Sequence, residues 1–205
     1  MDLFAFDKIF YDKGLKFIAG IDEAGRGPLA GPVVASAVIL PKDCLICDLN
    51  DSKKLSQKKR EFLFKIIKEK ALFYAISIVD NNIIDKINIL QATLLAMRNS
   101  ISQLPKAPDI CLIDGNCKVK GLDIAQETIV GGDAKSASIA AASILAKVIR
   151  DNLMDEYAKK YPLYGFDKHK GYGTKKHIEA INQYGVCSIH RMSFAPICNK
   201  TTKIL

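Results

Sequence analysis

No stretch of this 205-residue chain is apolar for long enough to cross a bilayer. The longest segment without a charged residue, Gly27 to Pro41, is broken by two Gly and three Pro, and a spanning helix needs about 20 apolar residues in a row. No export signal is visible either. The opening, MDLFAFDKIF, is acidic before it is apolar, so a cytoplasmic protein is expected. Paired cysteine spacings are missing. Cys44-x2-Cys47 stands alone, and a zinc ribbon needs a second tight pair. Cys187-x2-His190, with His177 and Cys198 near, is the better zinc candidate of the two. Reduced thiols are the expectation. Repeats, low-complexity tracts and flexible linkers are lacking too, which excludes disorder, collagen and coiled coil as descriptions of the whole. What is present is an ordinary balance, 49% apolar and 25% charged. A chain of this size and balance buries a core without staples.

Charge is unevenly placed. The net charge is +8, but residues 135–205 carry 12 Lys/Arg against 5 Asp/Glu, while residues 1–134 are nearly balanced. All three histidines, His169, His177 and His190, lie in that basic third. A one-sided positive field suits a polyanion, because each neutralised phosphate releases counterions. A solvated Lys-rich surface would look the same.

Apolar runs predict strands near residues 17–21, 32–40, 71–79, 109–113 and 127–130. Helices are predicted over 56–70, 87–104, 138–160 and 174–185. Ile87, Leu90, Leu94, Met97, Ile101 and Leu104 recur at steps of 3 and 4. This order predicts an α/β fold, a mixed sheet flanked by helices.

Three of these strands end in acid. Asp22-Glu23 closes the first and leads into Gly25-Arg26-Gly27-Pro28. Neighbours in a strand face opposite ways, so Glu23 is expected to join Asp22 by a turn of the chain. Asp114-Gly115 closes the fourth strand. Were it parallel to the first and beside it, Asp22 and Asp114 would meet at the carboxyl edge, where open α/β sheets bind ligands. Asp133 follows Gly131-Gly132 and precedes the long helix, which it would otherwise merely cap. Convergent carboxylates repel one another unless a cation neutralises them. Hard oxygen donors suit Mg²⁺ or Mn²⁺. Two such ions activate a water and stabilise the leaving oxygen of a phosphodiester attack.

The Asp22-Glu23-Ala24-Gly25-Arg26-Gly27-Pro28 segment, with Gly31-Pro32-Val33 behind it, resembles the opening signature of the ribonuclease HII family. Asp51-Ser52-Lys53-Lys54-Leu55, Ile113-Asp114-Gly115, Gly132-Asp133-Ala134-Lys135, residues 138–151, His169-Lys170-Gly171-Tyr172-Gly173-Thr174 and His190-Arg191-Met192-Ser193-Phe194 continue the likeness in family order. The related ribonuclease HIII carries an extra N-terminal domain and lacks the Gly-Arg-Gly loop, whereas about 16 residues precede the first predicted strand here.

The resemblance implies a ribonuclease H-like five-stranded mixed sheet flanked by helices, with a helical C-terminal extension. It implies one catalytic domain over 1–205, its core about 17–160 and its basic helical part about 161–205. The implied activity is endonucleolytic hydrolysis of the RNA strand of RNA–DNA hybrids. Cutting is expected 5′ of ribonucleotides in duplex DNA, by a monomer, leaving 3′-OH and 5′-phosphate ends. Asp22, Glu23, Asp114 and Asp133 match the catalytic positions that hold Mn²⁺ or Mg²⁺. Gly25, Arg26 and Gly27 match the loop at the ribonucleotide 2′-OH, and Tyr172 the ring on the sugar 3′ of it. Lys170, with Lys168, Lys175 and Lys176, is expected to position backbone. The lysines at 53 and 54 could touch phosphate or water, and Lys147, Arg150 and Asp151 read as a solvated ion cluster. A non-catalytic nucleic-acid binder and a DNA junction resolvase are the rival readings.

Overall fold

A computed structural model describes residues 3–201, the side chains of 200 and 201 excepted, so the end of the predicted basic part (202–205) lies outside the described residues. The chain opens with α1 (Leu3–Asp12), then β1 (Ile18–Ala24), β2 (Val33–Ile39), α2 (Gln57–Lys70), β3 (Phe73–Val79), α3 (Asn81–Ile87) and α4 (Ile89–Ser102). It continues with β4 (Ile110–Asp114), β5 (Ala125–Ile129), α5 (Ala137–Lys160), α6 (Phe166–His169), α7 (Lys175–Tyr184) and α8 (Cys198–Thr201). Among these helices none is long and apolar enough to cross a membrane.

The five strands form one mixed sheet in the order β3-β2-β1-β4-β5. β1, β2 and β3 pair antiparallel, while β4 lies parallel to β1 and β5 parallel to β4. Every residue of β2 is buried, as expected of an inner strand covered on both faces. Ala19, Ile21, Cys111 and Ile113 face α4, whereas Ile18 and Leu112 pack against Ile139 of α5. This alternation decides which carboxylate reaches which side of the sheet.

Helix α5 lies very close to β1. A Cβ on Gly20 would sit 2.1 Å from the Ser138 carbonyl carbon and 2.2 Å from the Ile139 nitrogen. The small residues Ala140, Ala141 and Ala142 meet α2 and the sheet, all fully buried. Ser136 caps this helix, accepting from the Ile139 N–H at 3.2 Å. Asp7 of α1 adds a second acceptor, 2.8 Å from the Ser138 N–H and 2.7 Å from its hydroxyl.

Two local features depart from the sequence expectations. Helix α1 has a charged residue on its buried face, with Asp7 between Phe6 and Phe10, which interrupts the apolar period. The helix predicted over 87–104 is α4, which begins two residues later at Ile89, and α3 ahead of it was not predicted. Asn88 adopts φ +67° and its side chain accepts from the Gln91 N–H, starting α4 afresh. Asn tolerates this conformation and caps well, so it separates α3 from α4 and sets where α4 begins.

Candidate active site

Because β1 and β4 are parallel neighbours, Ile21 registers with Ile113. Asp22 and Asp114 each stand one step further on. Asp22, Glu23 and Asp114 line one cleft of about 200 Å³ at this edge, together with Gly25, Arg26, Gly27 and Tyr172. Ser52, Lys53, Ser143 and Lys147 complete the wall.

Glu23 arrives differently from the way the sequence suggested. The chain does not turn at Glu23: β1 runs on to Ala24, and Glu23 still registers with Ala35. It follows Ala19 and Ile21 on the α4 face, while Asp22 follows Gly20 on the α5 face. The two carboxylates reach a common cleft because it straddles the end of the strand. A second hollow at this end is lined by Glu23, Asp114, Leu94 and Met97.

The cleft is electrostatically strained. Asp22 is 4% exposed. Burial raises its pKa well above the usual carboxylate value, and the charges of Glu23 and Asp114 raise it further; the Ser143 hydroxyl works against the rise. Glu23 is raised by burial and by Asp114, while Arg26, 3.4 Å away, pulls it down. The Asp22 Oδ1 accepts from the Glu23 N–H at 2.7 Å, and Asp114 Oδ1 from the Gly132 N–H at 2.6 Å.

Asp133 is not the helix cap, since Ser136 fills that place. Nor is it among the residues lining the cleft. It is 5% exposed, with Lys53 Nζ 3.6 Å from its Oδ2. Burial raises its pKa, and Asp51 and Asp114 add to the rise against Lys53. Asp133 Oδ2 is buried with no hydrogen-bond partner. As the side chains stand, among the described residues no three His, Cys, Asp or Glu are placed to hold a metal ion. That holds for the carboxylates, and also for Cys187 with His177 and His190.

The basic residues are redistributed. Lys170 does not offer a free ammonium to the cleft, because Asp155 holds it. Its carbonyl instead accepts from Arg150 Nη1 at 3.0 Å. Arg150 is no solvated charge: it is 1% exposed and bonds the carbonyls of Pro32 and Ala30. Lys147 does pair with Asp151, at 2.8 Å. Arg191, read in the sequence only as part of a motif, is fully buried under the Gly25–Pro32 loop. A charged residue beside a histidine carries no sequence mark of burial, so this one was not separable from surface basic residues.

His177 and His190 form a buried brace for the Tyr172 turn, with half-buried His169 stacked on His177. The Tyr172 carbonyl, 2.9 Å away, assigns the proton to His177 Nδ1. His177 Nε2 must then accept from His190 Nε2 at 3.1 Å, and His190 Nδ1 accepts from the Cys187 N–H at 2.9 Å. Both rings are therefore neutral. Burial lowers the pKa of His177 to about 4 and lowers that of His190 too.

The fold has a known counterpart. Ribonuclease H2 from Pyrococcus horikoshii OT3 matches 91% of this chain and 98% of its own, with TM-score 0.77 and 25% identity. This places the chain among nucleases of the ribonuclease H-like fold. Ribonuclease HII of Endomicrobium trichonymphae is 67% identical over 196 residues, 96% of this chain and 93% of the relative. That of Clostridioides difficile (strain 630) is 60% identical over 189 residues, 92% and 74% of the respective lengths. A family model described as Ribonuclease HII matches residues 19–197. The chain belongs to the ribonuclease HII family. It is a hydrolytic endoribonuclease that acts on the RNA of RNA–DNA hybrids.

Proposed function

We propose that this enzyme cuts on the 5′ side of a ribonucleotide embedded in duplex DNA, with Asp22, Glu23, Asp114 and Asp133 as its catalytic, cation-holding residues. The observation that carries this reading is the shared cleft, where three of the carboxylates, the Gly25–Gly27 loop and Tyr172 meet.

The donor set fits a divalent cation such as Mg²⁺ or Mn²⁺. All the ligands are hard carboxylate oxygens. Asp22 is driven toward protonation by burial and then by its acidic neighbours, and a bound cation relieves that repulsion. Asp133 Oδ2 is buried and unbonded. Meanwhile Arg26 and Lys53 supply the positive charge at Glu23 and Asp133, and binding requires both to yield. Held by these carboxylates, a pair of divalent ions would supply activation of a water and stabilisation of the leaving oxygen for displacement at phosphorus. The products are 3′-OH and 5′-phosphate ends.

The chain's own residues choose the bond. Gly27 has no side chain, so backbone can approach a sugar closely, and only a ribonucleotide offers a 2′-OH there. Tyr172 is 45% exposed, and a Cβ on Gly27 would lie 3.6 Å from its Cε1. Its apolar ring beside the reader favours a deoxyribose on the 3′ side, hence a ribonucleotide–DNA junction. Exposed Lys168, Lys175 and Lys176 hold the duplex backbone, a sequence-independent contact. We read residues 1–205 as one catalytic domain, acting as a cytoplasmic monomer.

The test compares a duplex holding one ribonucleotide with all-DNA and branched DNA, with and without Mn²⁺. Metal-dependent incision 5′ of the ribonucleotide alone is expected. Equal cutting of branched DNA, or cutting undiminished by chelator, would refute the reading.

A further inference from the structure

The Arg191 guanidinium has five N–H donors, and every one meets a backbone carbonyl of a single loop. Nε donates to Gly31 at 3.0 Å, Nη1 to Arg26 at 2.9 Å and Pro28 at 2.8 Å, and Nη2 to Gly25 at 2.6 Å and Pro32 at 3.2 Å. Arg150 lies beside it, donating to Pro32 at 3.1 Å and Ala30 at 3.2 Å, and to Lys170 at 3.0 Å. Among the described residues neither head makes an ion pair within 4 Å. Two cations are thus buried together with no acid in contact: Asp85 and Asp151 act on them only from a distance, the Phe194 ring lies 5.0 Å from Arg191, and the N–H donors meet peptide oxygens. Such burial is costly without full hydrogen bonding, and for Arg191 the bonding is complete.

The arrangement has a directional consequence. A trans peptide sets its C=O and its following N–H on opposite edges. With the Gly25 and Arg26 carbonyls turned in to Arg191, the N–H groups of Arg26 and Gly27 turn the other way. The same rule can be checked one step on. The Pro28 carbonyl points in, and the Leu29 N–H points out to the Gly171 carbonyl at 2.8 Å. Arg150 then ties the loop to the Lys170 carbonyl, two residues before Tyr172. The fit leaves no room for a side chain at Gly25, where a Cβ would lie 2.1 Å from Arg150 Nε at φ +102°.

We propose that Arg191, with Arg150, is a positioning residue for ribonucleotide selection. The pair holds the Gly25–Pro32 loop and the Tyr172 turn as one body, and aims the amides of Arg26 and Gly27 at the sugar. This rests on the reading that the loop meets the 2′-OH.

Arg191→Lys keeps the charge but has one nitrogen, which cannot span five carbonyls. Amide hydrogen exchange and steady-state kinetics on a duplex with one ribonucleotide test it. Exchange over 25–32 and 169–172 should rise together, by about tenfold or more, while β1, β2 and β4 keep their protection. KM should rise about tenfold with kcat within about threefold of the parent. Unchanged exchange at the two segments overturns the proposal, and so does uniform acceleration across the sheet. Should Arg191→Lys fail to fold, Arg150→Lys is measured instead by the same exchange and kinetics, and the same two results overturn the proposal. Gly27→Ala separates the two layers, since its Cβ clashes with nothing but would stand between amide and sugar. If Gly27→Ala leaves KM unchanged, the reading of the loop has failed. If Gly27→Ala raises KM but Arg191→Lys does not, the positioning role has failed.

Discussion

On one side of Gly25 lie buried Asp22 and half-buried Glu23 and Asp114, acids crowded at the end of β1 and β4. On the other lie Arg150 and Arg191, buried cations under the loop, with the histidine brace behind them. Both regions take charge out of water, but they differ in completion. The Arg191 head has a partner for every donor, and each buried imidazole has an assigned tautomer. The carboxylates raise one another's pKa, and Asp133 keeps an oxygen with no hydrogen bond. The difference teaches where work is done. On the proposed reading, the region that recognises shape is over-determined, and the region that does chemistry holds charge in a strained state that binding can relieve.

The largest expected effect breaks the strained side. Asp22→Asn keeps the Oδ1 that accepts from the Glu23 N–H and removes one negative charge. Turnover on hybrid substrate should fall about a thousandfold or more. Stability measured in chelator should rise by about 1–2 kcal/mol as repulsion is relieved. A variant of parental activity would sink the catalytic assignment, and a lower melting temperature would sink the claim of strain.

The next effect sets the two regions against each other through pH. A carboxylate whose folded pKa is raised, as for Asp22, gains native stability as pH falls through that value, because the native state binds the proton first. A histidine whose folded pKa is lowered does the reverse. His177 falls to about 4 from an ordinary 6.5, so the unfolded chain protonates first between those values. Stability should be lost across that window, by on the order of 3 kcal/mol at most. Melting curves of parent and Asp22→Asn in chelator separate the arms. Both should lose the contribution of the histidine brace from pH 7 to pH 5. The advantage of Asp22→Asn should shrink as pH falls through the range in which Asp22 itself takes up a proton. An advantage constant with pH would place the strain elsewhere.

The acidic side of this contrast was legible in the sequence, and the cationic side was not. Strand ends marked by Asp-Glu and Asp-Gly are local patterns. With β4 parallel to β1, Asp22 and Asp114 have to share an edge. Burial of Arg150 and Arg191 depends instead on three segments far apart in the chain, and no period along one element signals it. Charged residues on a helix normally face solvent, which is why Arg150 read as part of a surface cluster. Lys170 misled for the converse reason, because Asp155 is 15 residues away and its claim on the ammonium is purely tertiary. The five strands and helices α2, α4, α5 and α7 were readable from the sequence. Helices α1 and α3 were not, because buried Asp7 interrupts the apolar period of the first and the second, at seven residues, is too short to show one.

Tyr172 lies between the two regions and gives the smallest expected effect on stability. Its ring is exposed on the cleft wall, while its backbone is held from below by His177 and, through Lys170, by Arg150. Tyr172→Ala removes the ring and leaves those backbone bonds, so stability should change by no more than about 0.5 kcal/mol. The same change should raise KM for a single-ribonucleotide duplex by roughly tenfold, since stacking on a sugar or base is worth about 1–3 kcal/mol. Cutting of long hybrid should suffer less, because every register of an all-RNA strand offers a 2′-OH to the loop. A loss confined to melting temperature would mean that the ring packs rather than reads, and the boundary between the two regions would then fall on the cleft side of Tyr172.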